Sequence, residues 1–288
     1  MNYVDVFYQS DDGLRLYARD YFGPSPDAPV VLCLPGLTRN SKDFAELAEV
    51  LRTTHRVICP DQRGRGRSQR DADASRYRPD RYCQDMLTLL NVLGVATVTI
   101  IGTSLGGMMA MLLLATAAMR VDAAVLNDVG PVVEPRGLAR IAGYVGKTAK
   151  VSNWEEAADQ TAMTNGIAFP DYDRAAWYAM AREVYIQEGA TPVLDYDPQI
   201  SQGIAAGTAA INLWPLFDML PARPILVIRG EISDVFSAET QLEMKRRIPQ
   251  MTAVVVLGRG HAPTLAEPAA RDAILAFLSD LPRTKQAT

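Results

Sequence analysis

Ser104 stands between glycines in Gly102-Thr103-Ser104-Leu105-Gly106-Gly107, after the apolar run Val98–Ile101 and ahead of a second apolar run. This is G-x-S-x-G in the strand–turn–helix setting that gives the pattern chemical meaning: a hydroxyl lifted above a sheet edge on a tight turn. Side chains at the flanking positions would collide, so glycine is needed there. The serine also sits at a helix N-terminus, where developing negative charge is favoured. The same glycines fit neither G-x-G-x-x-G nor a Walker loop, which argues against a nucleotide site.

A serine hydroxyl needs a base to become a nucleophile. The chain offers two histidines. His55, in RTTHRVI, precedes an apolar run, on the edge where chain enters a sheet. His261, in Leu257-Gly-Arg-Gly-His-Ala-Pro, follows the run AVVVL, on the rim where open α/β sheets bind ligands. His261 is the expected base. An acid must hold its tautomer. In this setting the order is serine, acid, histidine. Asp234, in Arg229-Gly-Glu-Ile-Ser-Asp234, fits and is the expected acid; Asp128, at the end of AAVLND, is the alternative, and Glu231 a weaker one. Two backbone N–H groups must meet the oxyanion: that of Leu105, and that of Leu37 in the loop Leu34-Pro35-Gly36-Leu37-Thr38.

These groups need a frame to aim them. Tyr3–Tyr8 and Leu14–Phe22 alternate around Asp11-Asp12-Gly13 as a hairpin. VVLCL and HRVICPD are runs of the kind buried strands show, and VTIIG, AAVLND, PILVIRG and AVVVLG read as further strands. Helical spacing marks Ser41–Leu51, Asp80–Leu93, Leu105–Met119, Ala238–Arg247 and Glu267–Leu278. The order predicts an α/β fold with an eight-stranded, mostly parallel sheet and helices on both faces. The alternation breaks between Pro131 and Leu213, where helices over Leu138–Lys150, Trp154–Met163 and Arg174–Gln187 are expected. Residues 131–213 are thus a helical insertion, with 1–130 and 214–288 as the core. The polar tail Pro282–Thr288 is expected to fray.

Composition removes other classes. With 288 residues the chain can bury roughly three quarters of its unfolded surface without a staple. A net charge of -4 argues against a general nucleic-acid binder. Two histidines and the scattered Cys33, Cys59 and Cys83 give no zinc-ligand spacing and no disulfide framework, so no metal or cofactor is expected. The N-terminus has no signal-peptide core, and the most apolar stretch, Met108–Met119, is too short to span a bilayer. A cytoplasmic protein without membrane or nucleic-acid partners, monomeric or a homodimer, is the expectation. Seven arginines between Asp61 and Arg81 suggest an RNA-binding segment, but interleaved Asp61, Asp71, Asp73 and Asp80 favour a solvated loop with local ion pairs.

In order and spacing, LPGLTRN, DQRGRGRS, GTSLGG, GEISD and GRGHAP resemble the α/β-hydrolase superfamily over nearly the whole chain. Asp61-x-Arg63-Gly64-x-Gly66-x-Ser68 is specific to its esterases, C–C bond hydrolases and epoxide-hydrolase-like members. The resemblance implies an antiparallel second strand and a helical cap over 131–213. Pro35-Gly36 replaces the family's usual His-Gly; this removes a histidine but leaves the backbone donor. A serine nucleophile excludes the aspartate-using dehalogenase and epoxide-hydrolase branches. The expectation is a serine hydrolase cleaving a carboxylic ester of a small or medium-sized, partly apolar substrate. A C–C bond hydrolase or lactonase is the alternative, and a non-catalytic receptor on the same fold the alternative of another class. Tyr144, Trp177 and Trp214 are the aromatics expected to line the pocket, while the insertion's Arg136, Arg140, Lys147, Arg174 and Arg182 read as surface charge.

Overall fold

The computed structural model describes residues 2–147, 150–202 and 212–282. Its centre is an eight-stranded sheet in the order β1-β2-β4-β3-β5-β6-β9-β10. The strands are β1 (Tyr3–Gln9), β2 (Arg15–Tyr21), β3 (Val30–Leu34), β4 (Arg56–Asp61), β5 (Val98–Thr103), β6 (Val121–Asn127), β9 (Ile225–Gly230) and β10 (Thr252–Val256). β2 runs antiparallel to both β1 and β4, and the other neighbours are parallel. This is the expected fold class.

Strand side chains alternate between two cores, as the pleat requires. On one face Val30, Leu32 and Leu34 meet Met86 and Leu89 of α2 (Pro79–Val92) and Met109 and Leu113 of α3 (Leu105–Thr116). On the other, Val31 and Cys33 meet Leu47 and Leu51 of α1 (Ala45–Leu51) and Ile274 and Leu278 of the C-terminal helix Pro268–Asp280. The apolar stretch Met108–Met119 is mostly α3, packed against the sheet. Among the described residues no helix is long and apolar enough to cross a membrane.

Between β6 and β9 lie α4 (Pro135–Tyr144), α5 (Trp154–Asn165), α6 (Arg174–Val184) and a hairpin of β7 (Tyr185–Glu188) and β8 (Thr191–Leu194). The hairpin corrects the expected helix through Gln187. The β-favouring run Val184-Tyr185-Ile186 followed by Gly189 turns the chain back instead. The helix expected over Leu138–Lys150 ends at Tyr144, where Val145 goes extended; residues 148 and 149 fall outside the described residues. So does most of the tail, 283–288. Asn40 caps the helical start after β3, its side chain accepting from Lys42 N–H.

The arginine-rich segment after β4 is solvated only in part: Arg67, Arg70 and Arg78 are exposed, but Arg63 and Arg65 are fully buried. Arg63 holds Asp85 through two bonds of 2.6 and 2.7 Å, and also reaches Asp71 at 2.6 Å and Asp12 at 3.0 Å. Of the interleaved aspartates Asp71 is a partner in this buried network, while Asp73 and Asp80 make exposed local pairs with Arg76 and Arg78, and no arginine-lined surface for RNA forms around Arg63 and Arg65. Asp11, Asp12 and Asp85 converge closely, but Arg63 and Arg81 supply their countercharge.

Candidate active site

Ser104 sits on the turn from β5 to α3 with φ 53 and ψ -114, a left-handed conformation that costs a non-glycine residue energy. The turn is possible because α3 starts against β3: a Cβ on Gly106 would stand 2.0 Å from Leu34 O. Ser104 N–H donates to Asn127 O at 2.9 Å, fixing the turn to the end of β6. Asn127 Nδ2 in turn donates to Pro263 O at 2.8 Å, so one buried side chain joins the serine turn to the histidine loop.

His261 follows β10, and its Nε2 lies 2.8 Å from Ser104 Oγ. Its Nδ1 lies 2.8 Å from Asp128 Oδ2. The expected acid, Asp234, is not the one the structure brings to the histidine. Asp128 leaves β6 with φ 55 and is fully buried. Gly230 N–H donates to its Oδ1 at 2.7 Å and Ser233 Oγ to its Oδ2 at 2.6 Å. Asp234 is drawn the other way. Helix α4 seats on its loop so closely that a Cβ on Gly137 would lie 2.3 Å from Asp234 O. From that helix Arg140 clamps both carboxylate oxygens at 2.6 and 2.8 Å. Burial would raise the Asp234 pKa, but Arg140's hydrogen bonds and charge, with a smaller pull from His261, hold it below the ordinary value. Arg140, read from sequence as surface charge, is thus the partner that Asp234 takes. Glu231 accepts from Gly258 N–H at 2.8 Å, bracing the histidine loop. His55 is remote from this constellation. It bonds Thr54 Oγ1 through Nδ1 at 2.8 Å, and burial depresses its pKa.

The loop after β3 faces Ser104 and is held from behind by the segment after β4. Gln62 Nε2 donates to Pro35 O at 3.2 Å, Arg65 Nε to Leu37 O at 2.8 Å, and Ser41 N–H to Asp61 Oδ1 at 2.7 Å. Asp61 also accepts from Arg67 N–H at 2.8 Å. That geometry demands glycine at 66, with φ +53, where a Cβ would lie 2.2 Å from Asp61 Oδ2. With its carbonyl tied back, Leu37 keeps its N–H free, and so does Leu105; among the described residues neither donates to a protein acceptor. This link between the two motifs was not legible from spacing.

Ser104, His261 and Leu37 open onto a cavity of about 350 Å³ walled by Tyr144, Phe169, Tyr172 and Met180. Tyr144 lines it as expected. Trp177 and Trp214 do not. Trp177 is buried behind Tyr172, ring centres 5.0 Å apart, and supports the wall without forming it. Trp214 packs edge-on against Phe217 at 5.6 Å, under the Arg247 guanidinium at 4.0 Å. Phe169 and Tyr172 belong to a short loop between α5 and α6, so no helical period announced them.

Residues 29–268 match the family model described as the alpha/beta hydrolase fold. The chain belongs to the α/β-hydrolase fold family. A 3-hydroxybutyrate-oligomer hydrolase from Cupriavidus necator is 38% identical over 271 residues, covering 90% of this chain and 92% of that protein. A 2-(acetamidomethylene)succinate hydrolase from Mesorhizobium japonicum is 27% identical, covering 81% of each. Among solved structures, an alpha/beta hydrolase from Novosphingobium aromaticivorans is 43% identical with a TM-score of 0.91, covering 98% of this chain and 99% of that one.

Proposed function

We propose that the protein is a serine hydrolase of carboxylic esters that works through an acyl-enzyme, with Ser104 as nucleophile, His261 as base and Asp128 as acid. The hydroxyl–imidazole–carboxylate relay of two 2.8 Å contacts carries this reading. Ser104 Oγ attacks the ester carbonyl as its proton passes to His261 Nε2. Asp128 keeps Nδ1 protonated and balances the imidazolium charge. The free N–H groups of Leu37 and Leu105 receive the oxyanion. His261 then protonates the leaving alcohol, and water, deprotonated by the same nitrogen, releases the acid.

Residues 131–213 act as a cap over a core of 1–130 and 214–288. Its aromatic side chains Tyr144, Phe169 and Tyr172 suit a partly apolar substrate. The likeness to a 3-hydroxybutyrate-oligomer hydrolase over nine tenths of the chain makes a short hydroxyacid oligoester the first natural substrate to test.

p-Nitrophenyl acetate supplies the test. Ser104→Ala and His261→Ala are each expected to lower kcat by about 10³-fold or more, while His55→Ala stays within about twofold of wild type. Turnover that survives Ser104→Ala would overturn Ser104 as nucleophile, and no wild-type turnover together with a Ser104 that no fluorophosphonate labels would favour a non-catalytic binding protein.

A further inference from the structure

Arg39 stands two residues past Leu37, and its side chain lines the same cavity as Ser104. A Cβ on Gly36 would lie 3.7 Å from Arg39 Cγ and 3.8 Å from Ser104 Cβ, so the arginine stem runs beside the nucleophile. Its guanidinium is held from two directions. Asp43, one helical turn on, accepts from Nε through both oxygens at 2.7 and 2.9 Å, which fixes where the fork points. Across the cavity, Glu183 of α6 accepts from Nη2 alone, at 2.9 Å. Among the described residues Nη1 has no acceptor. The neighbouring cation, Lys42, is paired with Asp195 at 2.9 Å. A guanidinium binds a carboxylate best through two parallel N–H groups, and the Nη1–Nη2 edge is only half used.

We propose that Arg39 anchors a carboxylate of the substrate: the ester carries a free carboxylate a few bonds from the scissile carbonyl, which displaces Glu183 and takes both Nη1 and Nη2. In a linear dimer of 3-hydroxybutyrate that carboxylate sits on the alcohol portion, one ester oxygen and two carbons from the reacting carbonyl. Glu183 is suited to yield. Burial pushes its carboxyl up, Arg39 opposes this, Asp43 reinforces it, and the net is about 7. A proton from solvent therefore neutralises it when a second carboxylate arrives. The inference rests on Ser104 acting as an esterase nucleophile.

The test compares the free acid of the 3-hydroxybutyrate dimer with its methyl ester, following cleavage of the internal ester by chromatography. Wild type is expected to favour the acid at least tenfold in kcat/KM, through KM. Arg39→Ala is expected to shrink that ratio at least tenfold, whatever it does to the two rates together, and Arg39→Lys to restore part of it. Glu183→Gln, which removes the competing carboxylate, is expected to lower KM for the acid at least threefold. A wild-type ratio near one, a ratio unchanged by Arg39→Ala, or a KM for the acid that rises or stays put in Glu183→Gln would overturn the proposal. An arginine serving only to pin α6 to the core would weaken both substrates alike. Wild-type turnover of p-nitrophenyl acetate that depends on Ser104 separates failure of this anchor from failure of the esterase reading.

Discussion

The loops that hold the reacting groups and the segment that roofs them are anchored differently. β5, β6 and β9 are buried almost throughout, and the turns after them, with the loop after the more exposed edge strand β10, meet in hydrogen bonds that join one to the next: Ser104 to Asn127, Asn127 to Pro263, Asp128 to Gly230 and Ser233. The inserted segment has a small core of its own, around Ala158, Phe169, Trp177 and Met180. It meets the sheet domain in three ways: Val145, Tyr196 and Ile200 join the core beside α2 and α3, backbone bonds such as Gly66 N–H to Asp195 O and Gly260 N–H to Ala168 O cross between them, and ion pairs run from Arg140 to Asp234, Glu183 to Arg39 and Asp171 to Arg259. The proposed relay of Ser104, His261 and Asp128 sits among these crossed hydrogen bonds, where each position is over-determined. The contact that we propose a ligand opens, Arg39 to Glu183, is an ion pair that a carboxylate can replace.

The largest break of this contrast exchanges two aspartates. Asp128→Asn leaves the shape but offers His261 the wrong partner, and kcat is expected to fall about 10³–10⁴-fold. Asp234→Asn loosens the α4 contact and is expected to cost no more than about tenfold. Steady-state kinetics on one ester measures both. A near-normal kcat in Asp128→Asn would return the acid role to Asp234.

A smaller effect is expected behind the loop after β3. Arg65 is fully buried and ties Leu37 O, Arg63 O and Tyr82 Oη together. Arg65→Met releases the loop, and kcat per labelled active site is expected to fall about 10–10²-fold with little change in KM, as when a positioned oxyanion donor drifts. A role confined to folding would lower the fraction that a fluorophosphonate labels and leave kcat per labelled site alone.

The same contrast explains what was legible. Apolar runs marked the inner strands because strands buried on both faces leave little else in their sequence, and the edge strand β10 carries such a run although most of it is exposed. G-x-S-x-G in that setting located Ser104, and the scarcity of histidine left His261. Asp128 and Asp234 could not be separated by spacing, since both follow strands whose C-terminal ends lie side by side. The deciding residues, Arg140 and Ser233, act through space. In the insertion the helical period located α5 and the start of α6, but not the β7–β8 hairpin. Pocket aromatics were misjudged because tryptophans suggest recognition by size, whereas Trp177 supports the wall and the loop residues Phe169 and Tyr172 form it.

The finest test concerns one of the ion pairs that join the two regions, Arg39 to Glu183. Glu183 has a folded-state pKa near 7 against an ordinary value of 4.5, with burial as the main cause. Between those values the folded protein keeps a proton that the unfolded chain has lost, so stability falls as pH rises through this window and levels off above it. Arg39, which favours the ionised form, and Asp43 and Glu46, which oppose it, set how steep the fall is. Glu183→Gln removes the titration, and the difference in urea midpoint between variant and wild type is expected to grow in the variant's favour from about pH 4.5 to about 7. A difference that stays constant across that range would mean that Glu183 is ionised throughout and that the contact between α6 and the loop after β3 is an ordinary surface salt bridge.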